Sequence, residues 1–171
     1  MVSIRRFNDS DWPAVWPILR TTFEAGETYA FSPDSTETEI HRVWVDVPSA
    51  TYVACTQDGH VLGTYFIKPN QPVLGAHVCN CGYVVAPSAQ GRGIATAMCE
   101  HSQAEAITMG FRAMQFNLVV STNERAVRLW KKLGFSVVGK LPRAFRHLRL
   151  GYVDAFVMFK ELSAQATSVE V

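Results

Sequence analysis

Cys81-Gly-Tyr-Val-Val-Ala86, running directly into Pro87-Ser-Ala-Gln-Gly-Arg-Gly-Ile-Ala95, is the stretch on which the fold turns. An apolar, β-branched run that passes through small residues into an amphipathic segment reads as a buried strand turning straight into a helix. The first amides of a helix have no intrahelical partner. Together with the positive end of the helix dipole they attract phosphate oxygens. Gly91 and Gly93 let a ligand approach the main chain without a Cβ in the way, and Arg92 sets a cation beside them. The stretch therefore predicts an anion cradle. A Rossmann fingerprint fits the same glycines poorly, because Thr96 stands where its third glycine belongs and no βαβ unit opens the chain. The Gly-Lys-Ser/Thr ending of a P-loop is absent.

Outward from this stretch, the 171 residues suffice for one domain with a substantial core, expected over 1–162, with a small, polar tail over 163–171. At 48% apolar and 18% charged the chain should fold, and a net charge of +1 gives no footprint for a nucleic-acid partner. Cys55, Cys79, Cys81 and Cys99 form no CxxC pair and read as small buried hydrophobes. His77, Cys79 and Cys81 alternate along one strand, but no second ligand pair exists, so no metal is expected. Met1 to Phe7 lacks the apolar core of a signal peptide, and no apolar run reaches membrane-spanning length. A cytoplasmic protein without a membrane partner is expected.

The pattern predicts the order β-α-α-β-β-β-α-β-α-β-β, a mixed α/β domain. A strand at Val2 to Phe7 leads into a helix capped within Asp9 to Pro13, with Val15, Ile18, Leu19 and Phe23 inward and Pro17 kinking it. After the loop Gly26 to Pro33, Asp34 or Ser35 caps a second helix stopped by Pro48. Thr51 to Thr56 and Val61 to Ile67 flank an Asp58-Gly59 hairpin turn, and Ala76 to Val85 follows as a long strand. A helix from about Gly91 to Met109 should bury Ile94, Met98, Ala104 and Ile107. Met114 to Val120 reads as a central strand. Ser121 to Glu124 reads as a capping box for a helix closed by Gly134. Phe135 to Val138 and Tyr152 to Lys160 complete the strands. Lys140, Arg143, Arg146, His147 and Arg149 between them read as a solvated loop, and Asp154 as a partner for a nearby cation.

Gln90-Gly-Arg-Gly-Ile-Ala95, with Asn123-Glu-Arg-Ala126 and Leu129-Trp-Lys-Lys-Leu-Gly-Phe135 downstream, resembles the pyrophosphate loop and following helix and strand of the GNAT acetyltransferases. The resemblance covers roughly Ile4 to Leu162. It implies the GNAT fold: a mixed, mostly antiparallel sheet flanked by about four helices and splayed between the strands ending at Val85 and near Val120. Acetyl-CoA as cosubstrate would lie in that V. By analogy the backbone of Val84 and Val85 pairs with the pantetheine amides, and Gln90, Gly91, Arg92, Gly93, Ile94 and Ala95 hold the pyrophosphate. Asn123 reaches the pantetheine arm. Trp130 stands where the family often has a tyrosine that protonates the departing thiolate; indole cannot, so Trp130 reads as a wall of the thioester pocket and no dedicated acid is expected. A homodimer is also implied, with a strand edge near Tyr152 to Lys160 to serve it. Asn80, Asn117 and Asn123 together look like the proline-analogue N-acetyltransferases, which acetylate azetidine-2-carboxylate and related imino acids.

Amide formation from a thioester needs a neutral amine, alignment and an oxyanion site. Asn80 and Asn117 are the catalytic candidates, as positioning amides. Glu27, His77 or a water is the base candidate. Glu27, Tyr29, Phe31 and Asn80 would bind the acceptor, a small-molecule amine, by direct attack in a ternary complex. Two alternatives stand beside this reading: a non-catalytic CoA-binding sensor, and an acetyltransferase acting on a protein or peptide amine.

Overall fold

Among the described residues, seven strands and four helices follow in the expected order: β1 (Ser3–Arg6), α1 (Trp12–Ala25), α2 (Glu37–His41), β2 (Ala50–Cys55), β3 (Val61–Pro69), β4 (Val78–Val85), α3 (Ile94–Thr108), β5 (Ala113–Val120), α4 (Glu124–Lys132), β6 (Ser136–His147) and β7 (Gly151–Glu161). This computed structural model describes residues 2–162, so the tail expected at 163–171 lies outside the described residues. The strands form one sheet in the order β1-β2-β3-β4-β5-β7-β6. β1 to β4 are an antiparallel meander. The single parallel contact, β4 with β5, registers only Val78 with Ala113 and Cys79 with Met114. Beyond that the two strands part, and the sheet opens into the V that the resemblance implied.

The core lies on both faces of this sheet. Every residue of β2 is buried, as befits a strand covered on two sides. Val15, Ile18, Leu19 and Phe23 of α1 cover one face with Ile40 and Trp44. Ile94, Met98, Ser102 and Ala106 of α3 are all buried, at a spacing of four residues. The expected Ala104 is instead exposed and Ile107 half-buried. Ser102 takes the inward place because its hydroxyl finds partners there, the Tyr83 hydroxyl at 2.7 Å and the Cys99 carbonyl at 2.8 Å.

Other expectations shift for local reasons. α1 runs unbroken through Pro17, with Pro13 in its first turn where a missing N–H costs nothing. The cap of α2 is Thr36, paired reciprocally with Glu39, rather than Asp34 or Ser35; the helix then widens into a π turn over Arg42–Asp46. α3 begins at Ile94, after a 3-10 turn over Pro87–Ala89. Asn123, not Ser121, caps α4, its Oδ1 accepting from the Ala126 N–H at 3.2 Å. The basic segment Lys140 to His147 is strand, not loop: β6 continues through a bulge between Leu141 and Phe145, where Pro142 needs no ladder partner. Within that bulge the N–H of Arg143 donates to Asp154 Oδ1 at 2.9 Å, and Lys140 Nζ lies 2.8 Å from Asp154 Oδ2, the cation pairing expected of this carboxylate. Because β7 is enclosed by β5 and β6, the free edge belongs to β6, not to Tyr152–Lys160.

Candidate active site

A cleft of about 690 Å³ fills the V and extends to both its ends, within the range of small-molecule sites. Neighbouring strand residues send their N–H and C=O groups to alternate sides. The Ala86 N–H donates to the Leu62 carbonyl at 2.8 Å, so the main chain of Ala86 and, two residues back, Val84 serves β3. Tyr83 and Val85 are thereby turned toward the V. The expectation that Val84's backbone is free to pair with a ligand is corrected: Val84 lines the cleft through its side-chain position, and Val85 carries the free main-chain edge.

Tyr83's edge is already occupied. The hydroxyl of Tyr29 accepts the Tyr83 N–H at 2.7 Å and donates to the Tyr83 carbonyl at 2.9 Å. One side-chain hydroxyl thus does for Tyr83 what the departed β5 would have done. Gly82 makes the room, since a Cβ there would come within 2.6 Å of the Phe66 ring and 3.2 Å of the Tyr29 hydroxyl. Burial raises the Tyr29 phenol well above its ordinary range, so it stays protonated and can donate.

At one end of the cleft is the glycine turn. Gly91 and Gly93 adopt φ of 78° and 77°, a left-handed backbone that favours glycine. Gly93 is the N-cap of α3 and no side chain caps that helix, so its first amides are left for a ligand. Gln90, Gly91, Gly93, Ile94 and Ala95 line the cleft, with Asn123 and Trp130 opposite. Arg92 is exposed and is not part of the lining. The cation facing this turn is Arg125, whose guanidinium lies 3.6 Å from where a Cβ on Gly91 would be. Its place in the second position of α4, inside the Asn123-to-Ala126 motif, was the available sequence signal. Asn123 spends its Oδ1 on capping α4, which leaves its amide N–H groups for a ligand.

The other end is aromatic. Tyr29 and Phe31 lie parallel, centroids 6.0 Å apart, and both pack on Phe23; Phe66 and Lys68 of β3 join them along the wall. Asn80 sits at the apex of the V, its Nδ2 donating across to the Gln115 carbonyl on β5 at 2.9 Å. That bond orients the amide and leaves Oδ1 as an acceptor. Asn117 reaches the rim, exposed and tied to Asn70 and Gln115. Glu27 does not line the cleft: it is paired with Arg149 at 2.6 Å, and beside it the Leu148 N–H donates to the Gly26 carbonyl at 3.1 Å. The β6–β7 turn thus clamps the loop that carries Tyr29. His77 is exposed, before β4 begins, and is also outside the cleft. Neither residue is placed to serve as base.

Among the described residues, no carboxylate or imidazole lines the cleft. Burial, reinforced by Cys79, pushes the Cys81 thiol well up, and burial does the same to the Tyr83 phenol. Trp130 is buried against Tyr83 and Phe116, at centroid separations of 5.1 and 5.0 Å, and forms a wall. The arrangement can hold an anion at the glycine turn and an extended chain along Val85. At the aromatic end it can hold a small amine, whose proton must leave to solvent.

The family model described as "Acetyltransferase (GNAT) family" matches residues 12–135. A GCN5-related N-acetyltransferase structure from Kribbella flavida is 44% identical, with a TM-score of 0.90 over 94% of this chain and 98% of that one. The fission yeast N-acetyltransferase aca1 (Schizosaccharomyces pombe) is 39% identical over 98 residues, 57% of this chain; the match spans about half, 47%, of that relative's length. At 18% identity, a Sinorhizobium meliloti phosphinothricin acetyltransferase solved with acetyl-CoA shares the fold, with a TM-score of 0.83 over 95% of this chain and 89% of its own.

Proposed function

The chain belongs to the GNAT acetyltransferase family, and from that premise we propose that it is an acetyl-CoA-dependent N-acetyltransferase whose acceptor is a small free amino or imino acid, of the azetidine-2-carboxylate kind. Acetyl-CoA is the cosubstrate and supplies the activated thioester carbonyl. The amides of Gly93 to Ala95 and the Arg125 guanidinium hold its diphosphate. The Val85 main chain and the Asn123 amide align the pantetheine arm, and Trp130 walls the thioester. Asn80 Oδ1 accepts an N–H of the incoming amine and fixes its line of attack, so that alignment carries much of the rate. With no acidic or imidazole base among the described residues that line the site, the amine reacts in its neutral form, its proton passing to water. A thiol near pKa 8.5 leaves without a dedicated acid at Trp130.

The observation that carries this reading is one continuous cleft, from an uncapped helix start through the parted strands to a wall of stacked aromatic rings. Thiol release from acetyl-CoA, measured over a panel of amines and peptides, tests it. Free amino or imino acids should accelerate release. If acetyl-CoA binds and no amine accelerates release, the chain is a CoA sensor; if only peptides do, the acceptor assignment falls.

A cytoplasmic setting belongs to the same reading; among the described residues no helix is long and apolar enough to cross a membrane. So does self-association through the β6 edge, where Val137, Val138 and Leu141 are exposed. Light scattering tests it: a monomer at assay concentration would exclude it.

A further inference from the structure

We propose that Lys68 anchors a carboxylate of the acceptor, so that the site selects amines that carry an acid group beside the reacting nitrogen. The inference rests on the acceptor reading above and deepens it by naming what the site recognises.

Lys68 of β3 is the register partner of Asn80 of β4. Paired residues in an antiparallel ladder project from the same face with Cβ atoms about 5 Å apart. Both line the cleft, Lys68 beside Phe66 of its aromatic wall and Asn80 at the apex of the V. The Lys68 ammonium lies 5.3 Å from the centre of the Phe66 ring, and among the described residues it makes no ion pair. The lining contains no Asp, Glu or His that could neutralise it. The other cation of the lining, Arg125, stands at the opposite end beside Gly91.

Among the described residues, the acceptor end therefore carries one positive charge, against an aromatic wall, without a counter-ion. A group of that kind is stabilised by a ligand that brings the anion with it. Next to Lys68, Asn80 offers the opposite hydrogen-bonding character. Its Nδ2 is committed to the Gln115 carbonyl, so the atom it presents is the Oδ1 acceptor, suited to an amine N–H. A cation and an N–H acceptor, a ladder pair apart on one face, match the carboxylate and amine of an amino or imino acid. A polyamine or a lysine side chain would bring further positive charge to Lys68 with no acidic group to receive it.

The experiment compares free amino and imino acids with their own carboxamides in the thiol-release assay, for wild type, Lys68→Met and Lys68→Arg. Wild type should favour each accepted acid over its amide by about tenfold or more in kcat/KM, the scale of one charge-assisted contact. Lys68→Met should bring the acid-to-amide ratio of kcat/KM close to one, by raising KM for the acid far more than for the amide, with acetyl-CoA affinity intact. Lys68→Arg should keep the preference. If Lys68→Met lowers acid and amide equally, or the acid preference survives it, the anchor is overturned while the acceptor reading stands. If wild type acetylates amides as readily as acids, the anchor is likewise overturned. If no acid or amide accelerates thiol release in wild type, the acceptor reading and the anchor fall together.

Discussion

The hydroxyl of Tyr29 closes both main-chain hydrogen bonds of Tyr83, 54 residues away, at the point where β4 has lost its parallel neighbour. A splayed sheet is an incompletely bonded sheet, and its open edge must be satisfied by something other than a strand. Here a phenol supplies one donor and one acceptor from a single oxygen.

Tyr29→Phe keeps the ring packing on Phe23 and Trp44 and removes only that oxygen. Leaving two backbone groups without their partner should cost about 1–3 kcal/mol. For a domain of this size that is a fall in Tm of very roughly 2–12 °C by thermal melting. An unchanged Tm would show that the open edge is as well satisfied by water.

At the other end of the cleft, a Cβ built on Gly93 would have no neighbouring atom within 4 Å, its own chain neighbours aside. The left-handed φ still costs about 1–2 kcal/mol for a residue other than glycine. Gly93→Val should lower Tm by a few degrees, yet weaken acetyl-CoA binding by about tenfold or more, because the branched side chain shields the first amides of α3. Calorimetric titration with acetyl-CoA gives the answer. Unaltered affinity would remove the backbone cradle from the account.

Asn80 bridges the two sides of the V, so its replacement separates positioning from architecture. Asn80→Ala should raise the acceptor KM or lower kcat by about tenfold, with acetyl-CoA affinity intact. Equal losses in both substrates would mean that the bond to Gln115 matters only for holding β4 and β5 together.

Far from the cleft, the Arg5 guanidinium grips Asp11 through two bonds of 2.7 Å each and, as the largest influence, holds that carboxyl below its ordinary range. A depressed folded-state pKa stabilises the protein above the unfolded value near 4, and the contribution is lost as pH falls through the folded value. Because Arg5 is about half exposed, screening limits the pair to about 1 kcal/mol. Arg5→Met should therefore lower Tm by about 2–4 °C at pH 7, and by progressively less below pH 4. A deficit that persists undiminished into acid would point to lost packing instead of lost charge.

Element order, the Asp58-Gly59 hairpin and the strand–turn–helix at Val85 to Ile94 were legible because each depends on neighbours in the chain: alternation, turn chemistry and the conformational reach of glycine. The same locality explains the misplacements. Thr36 outcompeted two nearby caps, and β6 ran on through Pro142 because β7 offered partners that local propensity could not reveal. Gln90, Gly91, Gly93, Ile94, Ala95 and Trp130 line the cleft, positions that the motif resemblance singled out. Which cation faces the cradle could not be read from it, since only the tertiary structure brings Arg125 of α4 against Gly91.

What the chain by itself determined was the inventory: a strand followed by a glycine-bearing turn, a helix after it, and aromatic residues in a short loop. Only the tertiary structure decided their chemistry. It clamped Glu27 to Arg149 and so removed it as a base, slid the Tyr29 hydroxyl into the edge left by β5, and set Lys68 beside Asn80 with no counter-ion among the described residues. The reason is physical: covalent order dictates which groups exist and their local geometry, but the free energy of a charge or a hydrogen-bonding group is set by what packs against it, and those partners come from distant parts of the chain.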